Sequence, residues 1–509
     1  MSSTTIDRRL DAPSPSLWLS DTALLIYIAL ATVVIHLILG NRYGIHRDEL
    51  ATLEDARHLA WGYTAYPPVT PFFGRLSLEL FGTSIRGFRF FANVSQAITV
   101  VLAGLMAREM GGRRGAQLIA AIATLPFVLG GGYQMMYVAF DCLAWTLTAY
   151  FVVKLLRTED PRWWVGIGAG IGLGMMTKYT MGFFALSIVV GVLFTPARRY
   201  LKSKWLWIGV ALSILIWLPN ILWQAQHNFV SLDFLNHIHA RDVRQGRTSD
   251  FLPMQFMLTG FRFPIALAGL YFCFSAAGKR FRMIGWMYVV TLALFTISKG
   301  RWYYMGPAYP MLYAAGAVWG EQWLAAMQRA RAITLRSIVW AALAFELVFT
   351  IAFWLPVPPL NSRWWNINNS LTGDFREQLG WPELVQEVAR IRDSLTPEER
   401  AHFAIIGTNY GEAGAINLYG PQYGLPRAIS GVNSFWYYGY GDPAPQTVIV
   451  LGLSRKYMEE SFSSCHLAGH TPNPYNVKNE ETGDHPDIYV CGPPKAGWPE
   501  FWNDFHYYG

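Results

Sequence analysis

Long apolar stretches separated by short polar intervals recur along the first 356 residues. They cover residues 18–40, 88–107, 116–137, 139–156, 163–177, 179–196, 205–223, 259–277, 283–298, 302–320 and 337–356. A helix that crosses a bilayer needs about 20 apolar residues, and several of these stretches lie near the lower limit of about 17. The pattern therefore predicts a polytopic α-helical membrane protein with about eleven transmembrane helices.

Residues 357–509 have a different pattern. Apolar positions at helical spacing predict a helix over 381–395, and the short apolar runs 403–408 and 447–453 predict strands. Such an alternation of helix and strand is typical of a small α/β domain. We therefore divide the chain into a transmembrane domain, residues 1–356, with a first outer loop at 41–87, and a C-terminal domain, residues 357–509.

The basic residues of the polar intervals indicate an orientation. One set of alternate intervals is short and basic, and it carries Arg8, Arg9, Arg108, Arg113, Arg114, Lys154, Arg157, Arg162, Arg198, Arg199, Lys202, Lys204, Lys279, Arg280, Arg282, Arg329, Arg331 and Arg336. By the positive-inside rule these intervals and the N-terminus are cytoplasmic, and an odd number of helices then places the C-terminal domain outside. Residues 1–17 are polar and do not have the pattern of a signal peptide.

The amino-acid composition is typical of a polytopic membrane protein and differs from that of a soluble protein. Hydrophobic residues make up 52% of the 509 residues and charged residues 15%, whereas soluble proteins carry about 25% charged residues. The net charge of +7 is accounted for by the basic loops, and no nucleic-acid partner is expected. Cys142 and Cys273 lie in apolar segments, and whether Cys465 and Cys491 form a disulfide in the C-terminal domain stays open.

Unusual acidic residues fall on the outer side. Asp48, Glu49, Glu54 and Asp55 bring four carboxylates into eight residues directly after the first apolar stretch. This segment is either a solvated amphipathic helix on the membrane surface or the support of a general base at the bilayer edge. Asp141 has apolar neighbours on both sides, so it is either a functional residue or one wetted at the end of a helix.

Basic and aromatic residues occur on the same side. Lys178 lies between two apolar stretches, and Lys299 and Arg301 are followed by Tyr303 and Tyr304. Snorkelling lysines and interfacial aromatic belts explain such residues in many membrane proteins. The alternative is a phosphate bound at the boundary between lipid and water.

Motifs of other chemistries are absent from the sequence. It contains no HExxH, GxSxG or P-loop pattern. No motif therefore supports zinc-protease activity, acyl transfer through a serine or nucleotide hydrolysis. The outer histidines lack the spacing of a zinc site, so no metal ligands are assigned. Carboxylates are able to hold Mg²⁺ or Mn²⁺, and divalent-metal dependence therefore stays open.

The order of these residues resembles the GT-C superfamily of glycosyltransferases, specifically the protein O-mannosyltransferase and aminoarabinose-transferase-like group, glycosyltransferase family 39 and its relatives. The specific element is RDELATLEDARHLAWG followed by YPPVTPFFGRLSLELFG, and the resemblance covers residues 1–356. The segment 408–442 is similar to the extracytoplasmic domain of bacterial members. The resemblance implies a GT-C fold in a bacterial inner membrane.

The resemblance also implies an activity and a set of site residues. The activity is an inverting transfer of a sugar from a polyprenyl-phosphate carrier, such as undecaprenyl phosphate, to an acceptor hydroxyl or phosphate on a protein, lipid or glycan at the extracytoplasmic face. By position, it makes Asp48 the general base, with Glu49 beside it and Asp141 as the second acidic residue. Residues that match carrier-phosphate positions are Lys178, Lys299, Arg301, Tyr303 and Tyr304. Residues placed in the acceptor loop are His46, Glu54 and Tyr66.

One position departs from the aminoarabinose-transferase pattern, which has lysine before the two prolines where this chain has Tyr66. Neutralisation of the phosphate is then expected to depend on Lys178 and Arg301. Loop 224–258 is expected to order over the site when substrate binds. The alternative function is a secondary transporter or lipid flippase, although such proteins tend to have related halves and ionisable residues near mid-bilayer.

Overall fold

The computed structural model describes residues 17–509. Arg8 and Arg9, which support a cytoplasmic N-terminus, lie outside the described residues, as does nearly all of the polar segment 1–17.

The chain up to Trp354 is almost entirely helical. Its helices are α1 (Asp21–Leu39), α2 (Arg47–Arg57), α3 (Val69–Phe81), α4 (Ile85–Phe88), α5 (Phe90–Glu109), α6 (Arg114–Gly132), α7 (Tyr137–Thr158), α8 (Trp163–Met175), α9 (Met181–Leu193), α10 (Lys204–Gln226), α11 (Val230–Arg244), α12 (Met254–Thr259), α13 (Phe263–Phe274), α14 (Arg282–Ile297), α15 (Tyr309–Ala325) and α16 (Arg329–Trp354).

Many of these helices are suited to a membrane. Within residues 17–509, eight helical segments are long and apolar enough to cross a bilayer, and a ninth is possible if α9 and the following turn, bent by 101°, count as one span. This confirms a polytopic α-helical membrane protein. The number eleven stays a prediction, because α8 has 13 residues and α15 has 17.

Glycine contacts bring two pairs of helices unusually close. A Cβ atom at Gly168 of α8 would lie 2.0 Å from the carbonyl oxygen of Gly209 in α10. A Cβ atom at Gly316 of α15 would lie 1.9 Å from the carbonyl oxygen of Ile265 in α13. Small residues permit such close packing where lipid gives helices little reason to associate. These contacts bring α8 directly against α10 and α13 directly against α15.

The C-terminal domain combines short helices with a mixed sheet. Its elements are α17 (Arg363–Leu371), α18 (Trp381–Ser394), α19 (Pro397–Ala401), β1 (Phe403–Gly407), α20 (Tyr410–Tyr419), β2 (Thr447–Leu451), α21 (Arg455–Ser461), β3 (His466–His470), α22 (Glu480–Gly483), β4 (Asp487–Cys491) and α23 (Trp498–Asp504). The strand order is β1-β2-β4-β3, in which only β1 and β2 are parallel. Cys465 and Cys491 form a disulfide that ties the start of β3 to the end of β4.

The predicted elements of this domain are confirmed, since α18, β1 and β2 occupy the expected segments. The sequence pattern does not predict β3, because its residues are largely exposed and lack a run of apolar side chains. The presence of a small C-terminal α/β unit is confirmed, whereas its boundary at residue 356 stays a prediction.

Helix α2 and the C-terminal domain share one hydrophobic core. Leu50 and Leu53 of α2 are buried in the same cluster as Trp381 of α18 and Ile405 of β1. A Cβ atom at Gly414 of α20 would lie 2.7 Å from Cβ of Leu50, so the backbone of α20 rests directly on α2. Helix α2 is thereby held in a fixed position.

Candidate active site

A cavity of about 690 Å³ lies where the ends of the helices meet the C-terminal domain. This is within the usual range of about 300–1,000 Å³ for small-molecule sites. Its walls come from α2, the turn between α8 and α9, helix α11, the segment after α14 and the C-terminal domain. The charged side chains along it are Asp48, Asp55, Lys178, Arg241, Asp242, Lys299 and Arg301.

The start of α2 is held by a reciprocal cap. The backbone N–H of Asp48 donates to Nδ1 of His46 over 3.1 Å, and the N–H of His46 donates to Oε2 of Glu49 over 3.0 Å. This capping box satisfies backbone donors that the first turn of a helix leaves unpaired. His46 and Glu49 do not line the cavity; they position the helix that carries Asp48.

Two carboxylates of α2 face the cavity. Asp48 and Asp55 lie seven residues apart, about two helical turns, and therefore on one face. Oδ1 of Asp48 accepts a hydrogen bond of 2.9 Å from the hydroxyl of Tyr410 in α20. Asp55 is buried and accepts hydrogen bonds from Tyr66 at 2.7 Å and from Tyr438 at 3.3 Å.

Burial sets the protonation of Asp55. Removal from water raises the pKa of its carboxyl to about 7, and the hydrogen bond from Tyr66 opposes this rise. Asp55 forms no ion pair with a basic side chain in the part of the chain that the structure describes. The cavity therefore contains one carboxyl group that changes charge near neutral pH.

The neighbouring carboxylates of α2 point away from the cavity. Glu49 is fully buried, and Oε1 accepts hydrogen bonds of 2.8 Å from Nε of Arg89 and from the N–H of Met135. Glu54 is fully buried as well and pairs with Arg427 of the C-terminal domain. Both residues hold α2 in the protein, and neither lies where a substrate in the cavity makes contact.

Lys178 projects from the turn between α8 and α9 into an aromatic cage. Its Nζ lies 3.8 Å from the ring centroid of Tyr304 and 4.4 Å from that of Tyr137. Burial lowers the pKa of Lys178, while the negative charge of Asp141 opposes this shift. Within residues 17–509 its ammonium forms no ion pair, so it is available to an anionic ligand.

Asp141 lies in the first turns of α7 and does not line the cavity. Its side chain is buried, and Oδ1 has no hydrogen-bond partner among the described residues. Its charge acts on Lys178. Asp141 is therefore placed to influence the cation of the site, without direct access to a ligand.

Arg301 also faces the cavity, but it is already paired. Its Nε and Nη2 donate to the two carboxylate oxygens of Asp242 in α11 over 2.6 and 3.0 Å. Its Nη1 donates to the hydroxyl of Tyr303 over 3.0 Å. Lys299 is exposed at the rim. Loop 224–258, which is expected to order over the site, contains α11, and the ion pair between Asp242 and Arg301 joins α11 to the segment after α14.

Several cavity residues were not assigned from the sequence. Tyr410 lies 362 residues from Asp48, and Asp242 lies 59 residues from Arg301; no local pattern reports such pairings. Asp55 was detectable, because its spacing from Asp48 places both on one helical face. Among the described residues there is no group of three or more His, Cys, Asp or Glu arranged to hold a metal ion.

Part of the chain matches a known family and known proteins. Residues 65–223 match the family described as dolichyl-phosphate-mannose-protein mannosyltransferase. Undecaprenyl phosphate-alpha-4-amino-4-deoxy-L-arabinose arabinosyl transferase 1 of Pseudomonas fluorescens is 29% identical over 241 residues, 44% of this chain and 43% of that protein. Lipid A galacturonosyltransferase RgtD of Rhizobium johnstonii is 25% identical over 258 residues, 48% of this chain and 53% of that protein. The chain thus matches about half the length of these curated relatives.

The similarity to solved structures extends further along the chain. ArnT from Cupriavidus metallidurans has been solved in the apo state and bound to undecaprenyl phosphate. The two structures match with TM-scores of 0.57 and 0.54 at 14% and 15% identity, and each match covers 92% of this chain and 97% of ArnT. At this identity the similarity concerns the fold. The chain therefore has the fold of ArnT, and the family and sequence matches confirm its resemblance to the protein O-mannosyltransferase and aminoarabinose-transferase-like group.

Proposed function

We propose that this protein is a glycosyltransferase that moves a sugar from a polyprenyl-phosphate carrier to an acceptor hydroxyl or phosphate. The observation that carries the proposal is the charge distribution in the cavity, where α2 contributes Asp48 and other elements contribute Lys178, Lys299 and Arg301. A sugar phosphodiester suits this distribution. Its phosphate needs cations, and the hydroxyl that attacks its sugar needs a base.

Lys178 is the first phosphate ligand in this proposal. Its ammonium is held by the rings of Tyr304 and Tyr137 and not by a carboxylate in salt-bridge range among the described residues. Arg301 is already engaged by Asp242, so a phosphate must share or displace that partner to bind it. Tyr303, which accepts from Arg301, orients the guanidinium. Asp141 acts through Lys178, by keeping a negative charge near its ammonium.

In the proposed reaction, Asp48 takes the proton of the acceptor hydroxyl while the hydroxyl oxygen attacks the anomeric carbon. The bond between that carbon and the phosphate oxygen breaks, and its electron pair leaves with the carrier phosphate. Attack from the side opposite to the leaving group inverts the configuration. Because the departing phosphate is already a stable anion, the reaction needs cations near the phosphate and no general acid.

The relatives support the choice of carrier. One is named for undecaprenyl phosphate, and ArnT has been solved bound to it; we propose the same carrier class here. We also propose a bacterial inner membrane location with the cavity and the C-terminal domain on the extracytoplasmic side. The disulfide between Cys465 and Cys491 supports that side, since disulfides persist mainly outside the cytoplasm.

The test is transfer of a radiolabelled sugar from undecaprenyl phosphate by purified protein in detergent, with a crude membrane extract as acceptor. The variants are Asp48→Asn and, as a matched control, Asp393→Asn, whose carboxylate is exposed on the C-terminal domain. We expect wild type and Asp393→Asn to move label and Asp48→Asn to lose at least about 100-fold. The chemical nature of the labelled product then identifies the acceptor as lipid, glycan or protein.

Binding separates a catalytic defect from a structural one. Asp48→Asn should retain donor binding, because the phosphate contacts lie on other elements. If wild type moves no label from any of several donor sugars, the proposed carrier is wrong. Transport of a lipid or solute is then the activity to measure.

A further inference from the structure

The C-terminal domain contacts the candidate base directly. The hydroxyl of Tyr410 donates a hydrogen bond of 2.9 Å to Oδ1 of Asp48, and Tyr410 lines the cavity. Tyr410 is the first residue of α20, whereas Asp48 lies in the first turn of α2. The two helices therefore meet at the carboxylate itself.

Contacts on Tyr410 and at the start of α20 hold this hydroxyl in place. The guanidinium carbon of Arg47 lies 5.2 Å from the ring centroid of Tyr410, and Nη2 of Arg47 donates to Oε1 of Glu480 over 3.0 Å. The N–H of Glu412 donates to Oδ1 of Asn409 over 2.9 Å, and the N–H of Asn409 donates back to the Glu412 carboxylate over 3.2 Å. This capping box fixes the first turn of α20.

The packing of α20 on α2 leaves little room for movement. A Cβ atom at Gly411 would lie 3.2 Å from Cβ of Arg47, and one at Gly414 would lie 2.7 Å from Cβ of Leu50. Because the two helices approach this closely, the backbone of Tyr410 is held next to the first turn of α2, within reach of the Asp48 carboxylate.

We propose that Tyr410 is a positioning residue for Asp48, so that the C-terminal domain forms part of the active site. This inference rests on the proposed function of Asp48 as the base. A phenol that donates to a carboxylate favours the ionised form, which is the form that accepts a proton. The contact also orients one carboxylate oxygen and leaves Oδ2, which has no hydrogen bond within residues 17–509, for the acceptor.

The phenol is suited to this task. Burial and the negative charge of Asp48 raise the pKa of Tyr410, so the hydroxyl keeps its proton and remains a donor. The other ionisable groups near Asp48 come from several packed elements. They are His46, Arg47, Tyr137, Asp374 and Glu480, and all of them are unchanged in the variant described next.

The test is the separate measurement of kcat and of the KM for the lipid-linked donor in full-length Tyr410→Phe. Phenylalanine keeps the ring that Arg47 covers but removes the donor, so Oδ1 of Asp48 loses the hydrogen bond that orients it. We expect kcat to fall about tenfold, with the KM for the donor unchanged. The matched control is Tyr489→Phe, which removes a hydrogen bond of 3.1 Å to Asp487 in the same domain, outside the cavity lining. A kcat equal to that of wild type would overturn the proposal.

A second readout does not depend on transfer. A water-soluble carbodiimide modifies carboxyl groups that it can reach, and peptide mass spectrometry reports the extent of labelling at Asp48 at one fixed pH. We expect Asp48 to be labelled several-fold more in Tyr410→Phe than in wild type, and to the wild-type extent in Tyr489→Phe. Equal labelling in all three proteins contradicts the positioning contact. Absence of transfer by wild type, combined with increased labelling in Tyr410→Phe, contradicts the proposed function alone.

Discussion

The variant Glu49→Gln tests whether Glu49 has a structural role that differs from the role proposed for its neighbour, Asp48. The Glu49 side chain is fully buried and accepts from Arg89, from the N–H of Met135 and from the N–H of His46. In Glu49→Gln the guanidinium of Arg89 stays buried without a counter-charge. Its remaining hydrogen-bond acceptors are backbone carbonyls.

The magnitude follows from these contacts. Removing one partner of a buried ion pair costs about 3–5 kcal/mol, because the other charge stays buried and uncompensated. Glutamine still offers one oxygen to the backbone donors, so we expect about 3 kcal/mol for Glu49→Gln. Asp48→Asn is the matched variant one residue away. Its carboxylate forms no ion pair within residues 17–509, so we expect a cost of about 1 kcal/mol or less.

Heating in detergent followed by size-exclusion chromatography with tryptophan fluorescence measures the fraction of intact protein. We expect the midpoint for Glu49→Gln to fall by several degrees and that for Asp48→Asn to stay near wild type. Transfer per folded molecule should show the reverse order, with Asp48→Asn inactive and Glu49→Gln active. A Glu49→Gln protein that is as stable as wild type but inactive would refute the structural assignment of Glu49.

Three further predictions use other parts of the molecule. Lys178→Gln should raise the KM for the lipid-linked donor at least about tenfold, because a charge-assisted contact to phosphate is lost; titration with the donor measures this, and an unchanged KM contradicts the assignment. Burial raises the pKa of Glu412 from 4.5 to about 8, so the folded protein holds a proton that the unfolded chain releases, and this contribution to stability is lost as the pH rises from 4.5 through 8. Glu412→Gln should therefore flatten the fall of the thermal midpoint between pH 5 and 8, and an equal slope in both proteins contradicts this. Replacing Cys465 and Cys491 together by serine opens a loop with a sequence separation of 26 and should cost about 3 kcal/mol; if the oxidised wild type melts no higher than the variant, the disulfide does not stabilise the domain.

The sequence predicts elements better than it predicts contacts between them. Apolar stretches locate the long helices because burial in lipid requires a continuous run of apolar residues. The same logic singles out Lys178 and Arg301, because a charge beside an apolar run is costly unless it has a function, and both residues line the cavity; their role in phosphate binding stays a prediction. The pairing of Arg301 with Asp242 was not predictable, because the sequence around a charged loop residue does not indicate which distant residue forms an ion pair with it.

Helix α2 shows where reading the candidate site from sequence fails. Neighbouring residues on a helix point about 100° apart, so adjacency in the motif does not imply a shared site. Asp48 faces the cavity, whereas Glu49 faces Arg89. Helical spacing alone selects Asp55 as the companion of Asp48. It does not reveal Tyr410, which reaches Asp48 through tertiary packing.

The shared core of α2 and the C-terminal domain has a consequence for biosynthesis. Arg47 pairs with Glu480, which is synthesised 433 residues later. At about 5–20 residues per second, translation of that interval takes roughly 20–90 s. During this time, while the helices that follow α2 are being synthesised, Leu50 and the other apolar residues of α2 that pack against the C-terminal domain have no partner. Until its final segment has folded, a nascent chain therefore exposes an apolar surface beside the membrane. We expect chaperones to bind this surface.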